Sequence, residues 1–412
     1  MIFRQPEKGL HSNIVMKRHK PKKDEPPVLA KKYNVSYLGP DSPRPPLRLA
    51  ARHYISAAVV YGTALLIITF SPYFRKLLSV PFYGVTASSI YWYIFVGYLI
   101  FGAPIFFLIR PKSLWVSNPV RITGYIRRLA GRIFKTKNQN DTESWKPTYE
   151  EKHAIVFMIV KMIYGPLAFY AAIDGYNRAL PIIKELHLRA LSDLHVSSAA
   201  YFDIIYRLFI TLVFMVEALP YIISYHTDSK LFGNKLRYVE TNPFHLFVCL
   251  ACYPPFSYAT VEVLGISYND PFSIVWAGKI DHPMTWILRI LAMISAAMLL
   301  SASLTLFTRA SNLTNRGIVT WGPYRIVRHP GYISKNIYWL LTFIPALIPN
   351  TSAPQFTWSG YATYFIMTAF GFVGWATLYF FRGVTEERFL MRDPEYVAYC
   401  KKVKYHFVPF IY

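Results

Sequence analysis

The chain has 412 residues, with 45 Lys and Arg against 22 Asp and Glu, a formal net charge of +23. It is nonetheless 53% hydrophobic and only 16% charged, with a mean hydropathy of +0.25. Soluble domains carry roughly 25% charged residues, so the composition excludes an ordinary soluble enzyme, and a nucleic-acid partner would explain the charge but not the apolar excess. A multi-pass membrane protein explains both, provided the basic residues gather on one side of the bilayer.

Residues 1–50 are polar, Pro-rich and basic, with no apolar stretch of the kind a secretion signal needs. They read as a disordered cytoplasmic tail whose lysines orient the chain or meet anionic headgroups. A helical span needs about 20 mainly apolar residues. Such runs fall at about 53–70, 86–109, 154–173, 201–224, 243–264 and 284–307, followed by a pair at about 336–349 and 358–381. The expected fold is therefore an all-α transmembrane bundle of about eight spans. Placing the tail in the cytoplasm puts the basic segments 110–152, 225–242, 308–335 and the C-terminal tail on that same side. The loops 71–85, 265–283 and 350–357 on the other side carry few basic residues, and loop 174–200 is mixed, with Arg178, Lys184 and Arg189 beside Asp174, Glu185 and Asp193; the balance is a positive-inside bias with both termini cytoplasmic. The membrane would be a bacterial inner membrane or the endoplasmic reticulum. Within 112–135, Trp115, Val120, Ile122, Tyr125, Ile126, Leu129 and Ile133 alternate with arginines, the pattern of an interfacial amphipathic helix or of a plain positive-inside loop. The division this implies is a tail (1–50), an N-terminal membrane region (51–283) and a C-terminal membrane domain (284–412).

Four ionisable residues fall inside the expected spans: Arg207, Glu217, Glu262 and Arg289. Such charges face the bundle interior or water. Glu217 and Glu262 are candidates for a polar cavity, whereas Arg289 is placed to snorkel toward a membrane face. Cys249 and Cys252 form a C-x-x-C within an apolar run, with no second ligand pair, and read as inert thiols rather than a zinc site.

The chemistry-bearing text lies near the end. Arg316-Gly-Ile-Val-Thr-Trp-Gly-Pro-Tyr-Arg-Ile-Val-Arg-His-Pro-Gly-Tyr332 is polar and turn-rich between two hydrophobic spans. Gly322-Pro323 and Pro330-Gly331 turn the chain. After the last span comes Phe380-Phe-Arg-Gly-Val-Thr-Glu-Glu-Arg388, where Arg382 and Glu386 share a helix face and only one of Glu386 and Glu387 can enter the same pocket.

Gly-Pro-Tyr-x-x-x-Arg-His-Pro-x-Tyr, two spans, Glu-Glu-x-x-Leu and the Tyr396-x-x-Tyr399 ending resemble the isoprenylcysteine carboxyl methyltransferase and phospholipid methyltransferase superfamily over about residues 285–412. The resemblance implies an integral membrane enzyme with S-adenosylmethionine as cofactor and a lipophilic membrane substrate. By position, Gly317, Ile318 and Val319 would line the cofactor before the turn, and Tyr324, His329, Pro330, Gly331 and Tyr332 would continue that wall. Glu386 matches the acidic residue that contacts the cofactor, and Arg382 a basic residue on the substrate side. His329 is a base candidate if the acceptor carries a proton, whereas a carboxylate acceptor would need only Arg382 to hold it. Arg316 stands where the carboxyl methyltransferases often have His. The Gly-x-Gly of the phospholipid branch is absent, since Gly371 and Gly374 are spaced differently. Two other readings stay open. Sterol reductases share an Arg-His-Pro-x-Tyr loop and a tail like Val408-Pro-Phe-Ile-Tyr412, implying NADPH. A non-enzymatic scaffold with a relic pocket would leave residues 1–280 as the functional part.

Overall fold

The computed structural model describes residues 44–134, 145–191, 197–228, 232–264, 274–348 and 357–409. The basic tail over residues 1–43, Lys135, Lys137, Lys230, residues 265–273 of the 265–283 loop and residues 350–356 of the 350–357 loop lie outside the described residues.

The long helices, in chain order, are α1 (Leu47–Phe70), α3 (Ala87–Pro104, prolonged to Ile109 by a wider turn), α5 (Tyr149–Leu191), α6 (Ser198–His226), α9 (Pro283–Leu306) and α11 (Trp358–Leu390). Among the described residues, these six are long and apolar enough to cross a membrane. Their outer faces carry large bare apolar side chains, such as Phe101 at 69%, Leu108 at 70% and Phe370 at 63% exposure. A water-facing surface would not carry so many; a lipid-facing one must. The chain is thus an all-α, multi-pass membrane bundle.

Two of the eight expected spans take another form. The apolar run 243–264 breaks into α7 (Pro243–Leu250) and α8 (Phe256–Val263), with Pro254 and Pro255 between them. Neither proline can donate a helical hydrogen bond, so a continuous helix is interrupted there. The run at 336–349 begins earlier, as α10 (Pro330–Phe343), a helix of 14 residues followed by one tighter turn through Pro345. At 1.5 Å per residue it rises only about 21 Å.

Short elements fill the ends. These are α2 (Pro72–Leu77), the pair β1 (Pro81–Phe82) and β2 (Val85–Thr86), α4 (Asn118–Phe134), β3 (Tyr238–Val239), β4 (Thr314–Asn315) and α12 (Pro394–Lys402). The 112–135 segment does form a helix over most of its length. α4 lies against α1 and α5, Arg128 forks onto Glu151 at 2.8 and 2.6 Å, and Ile126 and Ile133 stay exposed. An apolar edge beside a row of arginines is what an interfacial helix presents.

The core runs where α6, α9 and α10 meet, around Tyr206, Ile210, Leu288, Ala292, Ala296 and Tyr338. α5 and α6 approach closely because Gly175 offers no side chain. A Cβ there would sit 2.7 Å from the Met215 Cβ. The charges inside the spans are sorted by this packing. Arg289 does not snorkel: it is fully buried, donates to Asp203 at 2.7 Å and to the Ile274 carbonyl at 2.8 Å, and lies over the Tyr206 ring. Arg207 pairs with Asp203 at 2.8 Å and Glu185 at 3.0 Å. Glu262 is exposed on α8 and lines neither the cleft nor the smaller cavity beside it, against the expectation of a polar cavity there. Glu217, by contrast, faces an internal cleft.

Candidate functional site

The loop between α9 and α10 is shaped by two glycines. β4 pairs antiparallel with β3, so the Asn315-Arg316-Gly317 stretch is fixed against the segment after α6. Gly317 has φ +111° and Gly322 φ +61°, backbone angles that L side chains rarely adopt. A Cβ on Gly322 would also fall 2.8 Å from the Thr305 hydroxyl. Gly322-Pro323-Tyr324-Arg325 then makes a tight turn, and Pro330 opens α10 at a position where its missing N–H costs nothing.

The C-terminal segment holds this loop from behind. The Arg328 and His329 amides donate to the Tyr405 and His406 carbonyls, each at 3.0 Å. The Arg328 guanidinium donates to the Val403 and Lys404 carbonyls at 3.0 and 2.7 Å and to Glu387 at 2.9 Å. Tyr399 donates to the Tyr324 carbonyl at 2.7 Å. Burial pushes the Tyr324 and Tyr396 phenols well above their ordinary range, with the Glu386 and Glu387 carboxylates adding to it, so both stay neutral at pH 7.

In front of the loop lies an open cleft of about 1020 Å³, its mouth included. The cleft brings together Gly317, Ile318, Val319, Tyr324, His329, Gly331, Tyr332, Arg382 and Glu386. Pro330 is buried beneath it and does not line it. The two adjacent glutamates divide as their spacing requires. Glu386 turns into the cleft and accepts from the Tyr332 hydroxyl, while Glu387 turns away to Arg328, His329 (3.1 Å) and His406 (2.9 Å).

Arg382 and Glu386 share a helix face but form no ion pair. Arg382 is 5% exposed and donates to Tyr253 at 3.0 Å and Asn312 at 2.6 Å. Its guanidinium lies 4.7 Å from the Tyr332 ring centre and 4.9 Å from that of Tyr253. It is a cation held by aromatic faces and neutral acceptors, which leaves its charge directed into the cleft rather than neutralised by a carboxylate. His329 makes no helix cap. It stacks between Tyr332 and Phe407, each at 5.3 Å, with Nε2 on Glu387 and Nδ1 3.8 Å from Glu386.

Residues distant in sequence complete the walls: Glu217 and Tyr221 of α6, Tyr253, Asn312, Arg316 and Lys335. A smaller cavity of about 370 Å³ shares Asn312, Tyr332, Arg382 and Glu386 with the cleft and adds Glu240, His245 and Cys249. His245 Nδ1 and Glu240 lie 2.5 Å apart there. Glu217 was visible in the sequence as a charge in a span. Tyr253 and Asn312 carried no signal, being an aromatic and a polar residue among many. Cys249 and Cys252 are free, and among the described residues no group of His, Cys, Asp and Glu is arranged to hold a metal.

Compared with models of known protein families, with curated proteins and with solved structures, the chain finds no match in any of the three.

Proposed function

We propose that the protein is an integral membrane methyltransferase that uses S-adenosylmethionine and acts on a lipophilic acceptor, with a carboxylate as the acceptor group that best suits the cleft. The observation that carries this reading is the convergence of residues. All those the family resemblance assigns to cofactor and substrate, Pro330 excepted, line one cleft although 50 positions separate Tyr332 from Arg382, so that Glu386, Arg382, Tyr324 and Tyr332 meet only through the fold.

The walls suit the cofactor. It carries an ammonium, a sulfonium and a carboxylate, and the cleft offers Glu386 and Glu217, tyrosine faces, and Arg316, whose buried Nε and Nη2 have no hydrogen-bond partner. When bound, S-adenosylmethionine supplies a methyl group on a positively charged sulfur. Glu386 accepts a charge-assisted hydrogen bond from an ammonium. Tyr324 and Tyr332 present rings to a cationic centre. Arg382, fixed by Tyr253 and Asn312, orients an anionic acceptor oxygen for in-line attack, where positioning supplies much of the rate. A carboxylate is ionised at pH 7, so no base is required. His329, with Nε2 committed to Glu387, acts here as a positioning residue for the Glu386 wall. The basic residues around the cleft support a mouth on the cytoplasmic side under the positive-inside rule.

The test is transfer of a labelled methyl group from S-adenosylmethionine to N-acetyl-S-farnesylcysteine by the purified full-length protein in detergent. The reading expects an alkali-labile methyl ester. Absence of any transfer, together with oxidation of NADPH by a sterol olefin, would replace it with the reductase reading.

A further inference from the structure

Arg316 is the residue the family resemblance leaves without a role, and its surroundings are unusual for an arginine. It is 3% exposed and lines the cleft. One guanidinium nitrogen, Nη1, donates to the Asn234 carbonyl at 2.7 Å and to the Thr227 carbonyl at 3.3 Å. The other two, Nε and Nη2, are buried with no partner. No carboxylate lies within ion-pair distance among the described residues. Asp228 is exposed and acts on Arg316 only through space. Instead a second cation lies nearby, since the Phe157 ring receives Arg316 at 5.5 Å and the Lys161 ammonium at 5.2 Å. Burial pulls the Arg316 guanidinium below its ordinary arginine value, yet arginine stays protonated in proteins.

A buried charge without a counter-ion is costly, and buried charges are ordinarily paired. Nε and Nη2 form one edge of the guanidinium fork, the edge that receives two oxygens of a carboxylate or phosphate side by side. Gly317, at φ +111°, turns the chain directly after Arg316 and beside the Arg309 and Arg237 guanidiniums.

We propose that Arg316 is the anion anchor of the cleft, and that its Nε–Nη2 edge binds the carboxylate of the amino-acid end of the bound cofactor. This inference rests on the methyltransferase reading for the source of the anion. The shared chemistry is an anionic oxygen pair, which a phosphate of NADPH would also offer.

The experiment is calorimetric titration of the full-length protein in detergent with S-adenosylmethionine, its decarboxylated analogue and NADPH, for wild type and Arg316→Gln. Wild type is expected to bind S-adenosylmethionine at least tenfold more tightly than the decarboxylated analogue. Arg316→Gln should lose that preference by weakening the first while leaving the second unchanged. Equal binding of the two by wild type, or an unchanged preference in the variant, overturns the proposal. NADPH binding without S-adenosylmethionine binding removes the methyltransferase reading. The anchor then stands if Arg316→Gln weakens NADPH tenfold and falls if it does not. Binding of none of the three overturns both. Should Arg316→Gln not fold, Arg316→Lys keeps the charge without the fork and is expected to show a reduced preference for the carboxylate-bearing ligand; an unreduced preference overturns the anchor.

Discussion

Arg289 and Arg316, two of the buried arginines of this bundle, sit in opposite electrostatic settings. Arg289, near the start of α9, has Asp203 at 2.7 Å and belongs to a chain of pairs running through Arg207 to Glu185. Arg316, beyond the other end of α9, meets carbonyls and a ring and no carboxylate within ion-pair distance among the described residues. The first cluster pairs its charges with carboxylates of the fold, although Arg289 Nη1 is buried without a hydrogen-bond partner. The second end holds Glu217, Glu386, Lys335, Arg382 and Arg316 around an open cleft with no ion pair among them. Membrane interiors make both kinds of charge expensive. What separates them is whether the compensating charge belongs to the fold or has to come from a ligand. By that criterion the Asp203 cluster is structural, and the cleft is the proposed binding site.

The largest expected effect tests the structural half. Asp203→Ala leaves Arg289 buried without its carboxylate and is expected to cost about 3–5 kcal/mol of stability, measured as loss of folded protein by thermal unfolding in detergent. The same variant, where folded, should bind cofactor as wild type does, and a selective loss of binding would break the distinction between the two ends. Glu386→Gln is the matching change at the cleft. Its side chain is 35% exposed, so the melting temperature should move little, while S-adenosylmethionine affinity falls by about one to two orders of magnitude, as expected when a charge-assisted contact is removed. Arg382→Lys retains the charge but not the fixed planar fork. It should lower kcat/KM toward a carboxylate acceptor by about a hundredfold, an effect typical of misplacement near a reacting atom, with cofactor affinity unchanged in titration. Gly322→Ala, at φ +61° and against Thr305, should destabilise the loop by at least about 1 kcal/mol, seen as a lower melting temperature and weaker cofactor binding together.

The smallest effect is in pH. Burial depresses the His406 pKa below 6.5, outweighing the neighbouring Glu387, which acts in the opposite direction. The unfolded chain therefore takes up the proton first, and stability falls as pH drops from about 6.5 toward the depressed folded value. His406→Gln should flatten that part of the stability–pH curve. An unchanged slope would show that the C-terminal clamp does not titrate in this range.

The membrane character of the fold was legible because hydropathy is a local property, and six of the expected spans appear as long helices. The broken run at 243–264 was misread as continuous because its apolar content outweighed Pro254 and Pro255, although Pro-Pro is itself a strong breaker signal. The local part of the site was legible for the same reason: Gly317, Gly322 and Pro330 impose a turn whatever surrounds them. What the sequence concealed was partnership. The i, i+4 spacing joins Arg382 to Glu386 on paper, yet Asn312 and Tyr253, distant in sequence, take the guanidinium instead. Glu386 is left to Tyr332 and the cleft. Arg289 could be seen as a charge in a span, but its partner Asp203 lies 86 positions away and could not be assigned from spacing. Pairing inside a bundle depends on how helices rotate against one another, and one sequence does not encode that in any local pattern.

In the proposed function the cleft takes up S-adenosylmethionine through Glu386. Titration of the purified full-length protein with S-adenosylmethionine, beside Glu386→Gln at equal fold content, tests it most directly. Saturable one-site binding that weakens at least tenfold in the variant is the predicted result. No binding by wild type, or equal binding by the two proteins, would contradict it.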